Sequence, residues 1–219
     1  GPSLGGFVCP VTTVHAELWK LGQLKPGDKI RFNLLSMEQA LALEKCQEAF
    51  IQNLRPATVR PEQSKPSLLK LGSPILHKIP ARTQQVQVVY RQSGDKNLLV
   101  EYGPLVLDLN LRFRAHALME WIQHALDSGQ LKGIIDLTPG IRSLQIHFDS
   151  KVLPRDALLD TLIAAEKKLP AIEEMVVPTR IVHLPLSWDD AATRLAIEKY
   201  TQSVRQDAPW CPSNIEFIR

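Results

Sequence analysis

Between residues 86 and 166 the apolar positions follow two periods in turn. Val86–Arg91 and Leu98–Tyr102 alternate or run apolar over strand lengths, and Ser93-Gly94-Asp95 between them is hairpin-turn chemistry. From about Asp108 to Asp127 the period becomes helical, with Leu111, Ala115, Leu118, Ile122 and Leu126 on one stripe and Gly129 placed to cap the end. Ile134–Leu137, a Pro139-Gly140 turn and Ser143–Phe148 predict a second hairpin. A second helix starts at Pro154, carries Leu158, Leu159, Leu162, Ile163 and Ala165, and ends before Pro170. Strand, strand, helix, strand, strand, helix predicts an α+β domain: a small antiparallel sheet with two helices on one face.

The flanks are patterned less regularly. Thr12-Thr13 is a candidate cap for a brief helix through Val14, Leu18 and Leu21, Lys25–Asp28 is a turn, and Lys29–Leu35 reads as a strand. Ser36 with Gln39 forms a capping box for a helix reaching about Leu54. Beyond Pro178, Arg180–Leu186 is a β run. Ser187–Asp190 opens a helix over Ala192–Val204, and Cys211–Arg219 begins a further element.

Charge then divides the chain. Arg55 to Arg82 holds six Lys or Arg against the single Glu62, more excess charge than the net +3 of all 219 residues, together with five prolines. Proline at that density stops helices and removes ladder donors, and like charges extend the backbone. The organisation expected is a unit over 1–54, a basic Pro-rich linker over 55–83, the α+β domain over 84–175 and a last unit over 176–219.

Composition limits the functional classes. A 44% hydrophobic content suffices for a core, whereas +3 is too small to mark a nucleic-acid footprint. No apolar run reaches the roughly 18 residues of a membrane span, so the expectation is a soluble, cytoplasmic protein. Cys9, Cys46 and Cys211 are odd in number and widely spaced, which suits buried thiols rather than disulfides or zinc. No two histidines have metal-ligand spacing, so no metal site is expected. The missing initiator Met and the apolar end at Ile218-Arg219 read as ends cut from a longer chain.

Three places have candidate chemistry. Ser3 among the glycines of Gly1–Pro10, with the Gly5 and Gly6 amides, offers donors to a carbonyl or carboxylate, or is a tight turn. Asp189 and Asp190 at a helix start are ionised carboxylates able to orient amide N–H groups, or simple N-caps. Arg142 is a candidate carboxylate partner, or a solvated or ion-paired arginine.

Five runs, Gly1–Pro10 (GPSLGGFVCP), Ala16–Asp28 (AELWKLGQLKPGD), Val100–Pro104 (VEYGP), Thr138–Leu144 (TPGIRSL) and Ala208–Arg219 (APWCPSNIEFIR), resemble the carboxyltransferase region of biotin-dependent urea carboxylases. The resemblance makes 1–54 the end of an allophanate hydrolase subunit 2-like (KipA-like) module and 84 onward the start of a subunit 1-like (KipI-like) module. It implies incomplete cyclophilin-like β-barrel parts flanking the α+β domain. It further implies a biotin carboxylase domain using ATP and Mg, a biotinyl carrier domain, carboxyl transfer to urea giving allophanate, and allophanate hydrolase acting next. Asn214 and Glu216 join Asp189 and Asp190 as candidates for orienting the substrate nitrogen. A guanidine carboxylase, a biotin-free 5-oxoprolinase component and a kinase-inhibitor-like regulator are the alternatives, and residues 1–219 alone are expected to be inactive.

Overall fold

The computed structural model describes residues 11–54, 72–83, 85–187, 189–211 and 213–218. Its elements are α1 (Leu18–Leu21), α2 (Met37–Asn53), β1 (Ile75–Ile79), β2 (Val88–Ser93), β3 (Asn97–Tyr102), α3 (Leu109–Asp127), β4 (Ile134–Pro139), β5 (Ser143–Phe148), α4 (Arg155–Glu166), α5 (Ala191–Ser203) and α6 (Asn214–Ile218). The chain divides into two compact units, one ending at Val176 and one beginning at Val177.

The first unit is built on a five-stranded antiparallel sheet in the order β1-β2-β3-β5-β4. Side chains alternate across a sheet, and one alternating set, Val88, Tyr90, Leu98, Val100, Tyr102, Leu144, Ile146 and Phe148, is fully buried. It forms a single cluster with Leu111, Ala115, Leu118 and Ile122 of α3 and Leu158, Leu162 and Ala165 of α4. Both helices therefore cover the same face, as the α+β pattern requires.

Local chemistry ends these elements where the sequence places them. Gly94 takes φ +73° in the β2–β3 turn and Gly129 takes the same φ just after α3, the left-handed conformation in which a β-carbon is disfavoured. Asp108 caps α3 by accepting the Asn110 N–H at 2.8 Å. The Ser36–Gln39 capping box is formed in both directions, at 3.3 and 2.9 Å.

Four expectations are corrected. Residues 75–79, assigned to the linker, form edge strand β1, flanked rather than interrupted by Pro74 and Pro80; the Pro74 carbonyl still accepts the Gln92 N–H at 2.8 Å. The remaining linker residues 55–71 lie outside the described residues. Lys29–Leu35 and Arg180–Leu186, read as strands, have no ladder partner among the described residues, and Phe32, Ile181 and Leu184 are more than three-quarters exposed. The brief first helix starts as a 3-10 turn at His15 with Val14 as its N-cap residue, without a threonine cap.

The fourth correction concerns separation. The segment before the linker belongs to the same compact unit as the sheet. Asp95 accepts the His15 N–H at 2.7 Å, and Lys96 donates to both Glu44 oxygens at 2.5 Å and to Ser150 Oγ at 3.0 Å. Lys151 pairs with Glu48. Distance along the chain is thus closed by charge pairing between α2 and the turn ends of the sheet.

Candidate functional site

On the sheet face opposite the helices, Glu101 of β3 stands between two guanidinium groups. In the hairpin register Arg91 faces Leu99, so Arg91 and Glu101 are diagonal neighbours on one face, and Arg91 Nε donates to Glu101 Oε2. Arg142, from the turn before β5, donates through Nη2 to Glu101 Oε1 at 2.8 Å and through Nη1 to the Tyr102 and Gly103 carbonyls at 3.5 and 3.4 Å. Two cations on one carboxylate leave the half-buried cluster with excess positive charge. Arg142 thus takes the ion-paired alternative, closing the β4–β5 turn onto the end of β3.

In the second unit the two acidic candidates serve their own helix. Asp190 is the N-cap of α5, its Oδ1 accepting the Thr193 N–H and its Oδ2 the Thr193 hydroxyl, both at 2.9 Å. The Thr193 amide and then the Thr193 hydroxyl, both donating to the charged carboxylate, hold its pKa below the usual range. Asp189 pairs with Arg194 Nε at 2.8 Å. In the last turn of α5, Tyr200 packs on Trp210 with ring centroids 5.9 Å apart, and Thr201 Oγ1 lies 3.3 Å from Cys211 Sγ.

Asn214 and Glu216 follow in α6, and both are exposed. Among the described residues no hydrogen bond or ion pair joins them to Asp189 or Asp190. Ser3, Gly5 and Gly6 lie outside the described residues. Asp190 is thus the capping carboxylate of α5 and Asp189 an ion-pair partner of Arg194, and among the described residues neither is joined to the other candidates.

The carboxylate in Asp190 suggests a direct check. Asp190→Ala removes both acceptors, so the first turn of α5 should fray, with faster amide exchange at Thr193. A depressed carboxylate pKa contributes stability that is present above its unfolded value and lost as pH falls through the folded one. The wild-type helix start should accordingly loosen on acidification, and the alanine variant should show no such acid step.

Reading residues one by one missed the pairings of Glu101 and of Lys96. The signal for the first was present in the hairpin register, which makes Arg91 and Glu101 diagonal neighbours once Gly94 is taken as the turn. Lys96 and Glu44 are 52 positions apart, and no local signal relates them. Among the described residues no group of three or more His, Cys, Asp or Glu is placed to hold a metal ion. No helix among them is long and apolar enough to cross a membrane.

Comparison with known proteins agrees with this architecture. The family described as carboxyltransferase domain, subdomain C and D, matches residues 88–206, and that described as carboxyltransferase domain, subdomain A and B, matches residues 1–34. Urea amidolyases of Lachancea kluyveri and Saccharomyces cerevisiae are each 36% identical over 219 residues, covering 100% of this chain and 12% of their own length. The crystal structure of the Kluyveromyces lactis urea carboxylase superposes with a TM-score of 0.71 at 37% identity, covering 94% of this chain and 18% of that one. The chain thus spans about an eighth of the curated relatives it matches. With more than half of its residues matched across the α+β domain and into the second unit, this chain belongs to the carboxyltransferase domain family, in its subdomains C and D.

Proposed function

We propose that the chain is part of the carboxyltransferase of a biotin-dependent urea carboxylase, where a carboxyl group moves from carboxybiotin to a urea nitrogen and allophanate is formed. The observation that carries this reading is similarity along the whole chain, at 36% identity, to enzymes named for urea. Those names favour urea over guanidine as the acceptor, and a fused carboxylase over a biotin-free 5-oxoprolinase component or kinase-inhibitor-like regulator. ATP and Mg act on this reading at a biotin carboxylase domain, and a biotinyl carrier domain brings the prosthetic group, all in the cytoplasm. Allophanate hydrolase is the enzyme that consumes the product.

Urea is a weak nucleophile, so transfer depends on holding it beside the carboxyl carbon with acceptors on its N–H groups and donors on the departing ureido oxygen. Bound carboxybiotin supplies the activated carboxyl group. Among the candidates, Asp190 accepts from Thr193 and Asp189 from Arg194, each with lone pairs left for a further donor. No transfer step is assigned to them, and Ser3, Gly5, Gly6, Asp189, Asp190, Asn214 and Glu216 are the candidates for the substrate pocket on this reading.

The test is ATP turnover by the full-length carboxylase with urea or guanidine as acceptor. The expected result is kcat/KM for urea higher by about tenfold or more, a difference of about 1.4 kcal/mol in transition-state binding. Turnover indifferent to both acceptors, or a parent protein without biotin, would overturn the reading.

A further inference from the structure

One stretch of the first unit turns its apolar side chains away from the core. Between β3 and α3 the chain runs Pro104-Leu105-Val106-Leu107-Asp108-Leu109. Leu105 and Leu107 are 87% and 85% exposed, Leu109 71% and Val106 51%. Ile141, in the β4–β5 turn at the same end of the sheet, is more than half exposed. Single apolar residues on a surface are ordinary, but a soluble chain rarely keeps so many side by side in water.

The loop is held at both ends, so its exposure is not that of a loose segment. At the entry the Tyr102 N–H donates to the Arg142 carbonyl at 2.8 Å and the Gly103 N–H to the Gln87 carbonyl at 2.9 Å, while Arg142 Nη1 reaches the Tyr102 and Gly103 carbonyls. Within it the Val106 N–H donates to the Pro104 carbonyl at 2.9 Å. At the exit Asp108 caps α3. A fixed backbone presents the leucines with little ordering entropy left to lose on contact, which favours them as interface anchors. Lys29–Leu35 and Arg180–Leu186 also expose apolar residues, but their strand-like alternation needs a ladder partner first. The loop, already fixed, needs only a surface.

We propose that Leu105, Val106, Leu107 and Leu109, with Ile141, form a docking surface for an apolar face of the same carboxylase polypeptide, outside residues 1–219. The relatives similar along the whole of this chain are polypeptides of which it spans about an eighth, so on this reading most of the surface that could meet the loop is carried in cis. A tethered face presents itself at about millimolar effective concentration, whereas a second copy competes only at the concentration of the enzyme itself. The loop has no basic side chain, and its one acid, Asp108, is turned to its own helix. Contact is therefore made by apolar side chains rather than by charge. The proposal rests on the reading of this chain as part of a longer carboxylase, and not on urea as the acceptor.

The experiment uses the full-length carboxylase. Leu107→Cys is labelled with a maleimide, and the rate at that residue is read by mass spectrometry in the native enzyme and in the same variant unfolded in guanidinium. The expected result is native labelling slower by about tenfold or more, since a covered thiol reacts only when its contact opens. Amide exchange over 104–109 in the unsubstituted enzyme should be slow as well, a readout that no substitution can disturb. A photoreactive amino acid built in at position 107, in a mixture of light- and heavy-nitrogen enzyme, should crosslink the loop to a peptide of the same copy outside residues 1–219. Native labelling at the unfolded rate, or fast exchange over 104–109, overturns the proposal. So does a crosslink between copies, to another protein, or confined to residues 1–219. A parent enzyme without biotin, or indifferent to urea, sinks the functional reading instead, and the labelling and crosslinks still decide whether the loop is covered in cis.

Discussion

Phe148→Ala should destabilise the α+β unit by about 3–5 kcal/mol, the usual range for a large aromatic side chain removed from a packed core. Phe148 closes β5, is fully buried, and belongs to the cluster shared by the sheet, α3 and α4. Its backbone faces Ile134 across the β4–β5 ladder and donates to the Lys96 carbonyl at 3.0 Å. Three strands converge on this residue, so the space left by the ring cannot be filled by moving one of them alone. Domains of this kind are stable by only about 5–15 kcal/mol, so the loss removes a large share of the total. Thermal unfolding of wild type and variant measures it; a loss below about 1 kcal/mol would show that the site collapses freely.

The second large effect is expected where α2 meets the sheet. Lys96 and Glu44 are both 8% exposed, and Glu44 accepts from Lys96 with both oxygens. Lys96→Met leaves the Glu44 carboxylate buried without its cation, and breaking such a pair costs about 3–5 kcal/mol. Detachment of α2 relieves part of that cost by returning Glu44 to water, so the variant should fall at the lower end. Exchange in α2 should rise more than exchange in β3. Combining Lys96→Met with Glu44→Met should recover most of the stability, since no charge is then stranded. A single variant as stable as the double would show that the carboxylate is already hydrated.

The double-hairpin core was legible because each decisive feature is local. Ser93-Gly94-Asp95 and Pro139-Gly140 are turns whichever fold surrounds them, and the stripe from Leu111 to Leu126 has one helical solution. The Asp108, Ser36 and Asp190 caps follow from side-chain oxygens two or three residues from the amides they bind. Strand β1 was hidden by the opposite circumstance. Pro74 and Pro80 speak against a strand when read locally, yet proline flanking a short edge strand removes no donor the ladder uses. Conversely, Lys29–Leu35 and Arg180–Leu186 alternate well enough for strands, but a strand exists only where another supplies hydrogen bonds, and pattern alone does not reveal that partner.

Among candidate site residues, what could be read was which side chains carry chemistry, not what they meet. Asp190 was recognisable as an acid at a helix start, and its bonds to Thr193 are the local ones its position allows. Arg142 was recognisable as an arginine after a turn, but its partner Glu101 lies 41 residues away, on a strand brought alongside by the β3–β5 pairing. The chain by itself determined the order of the helices and of the two hairpins, their turns, and the faces that α3 and α4 bury, because these depend on backbone preferences and apolar spacing over a few residues. Only the tertiary structure decided that α2 docks through Glu44 on Lys96, and that Arg114, Glu166 and Tyr102 meet in one buried cluster. Charges separated by 50 or more residues become neighbours only after the core has formed, and it is the absence of water there that makes their pairing matter.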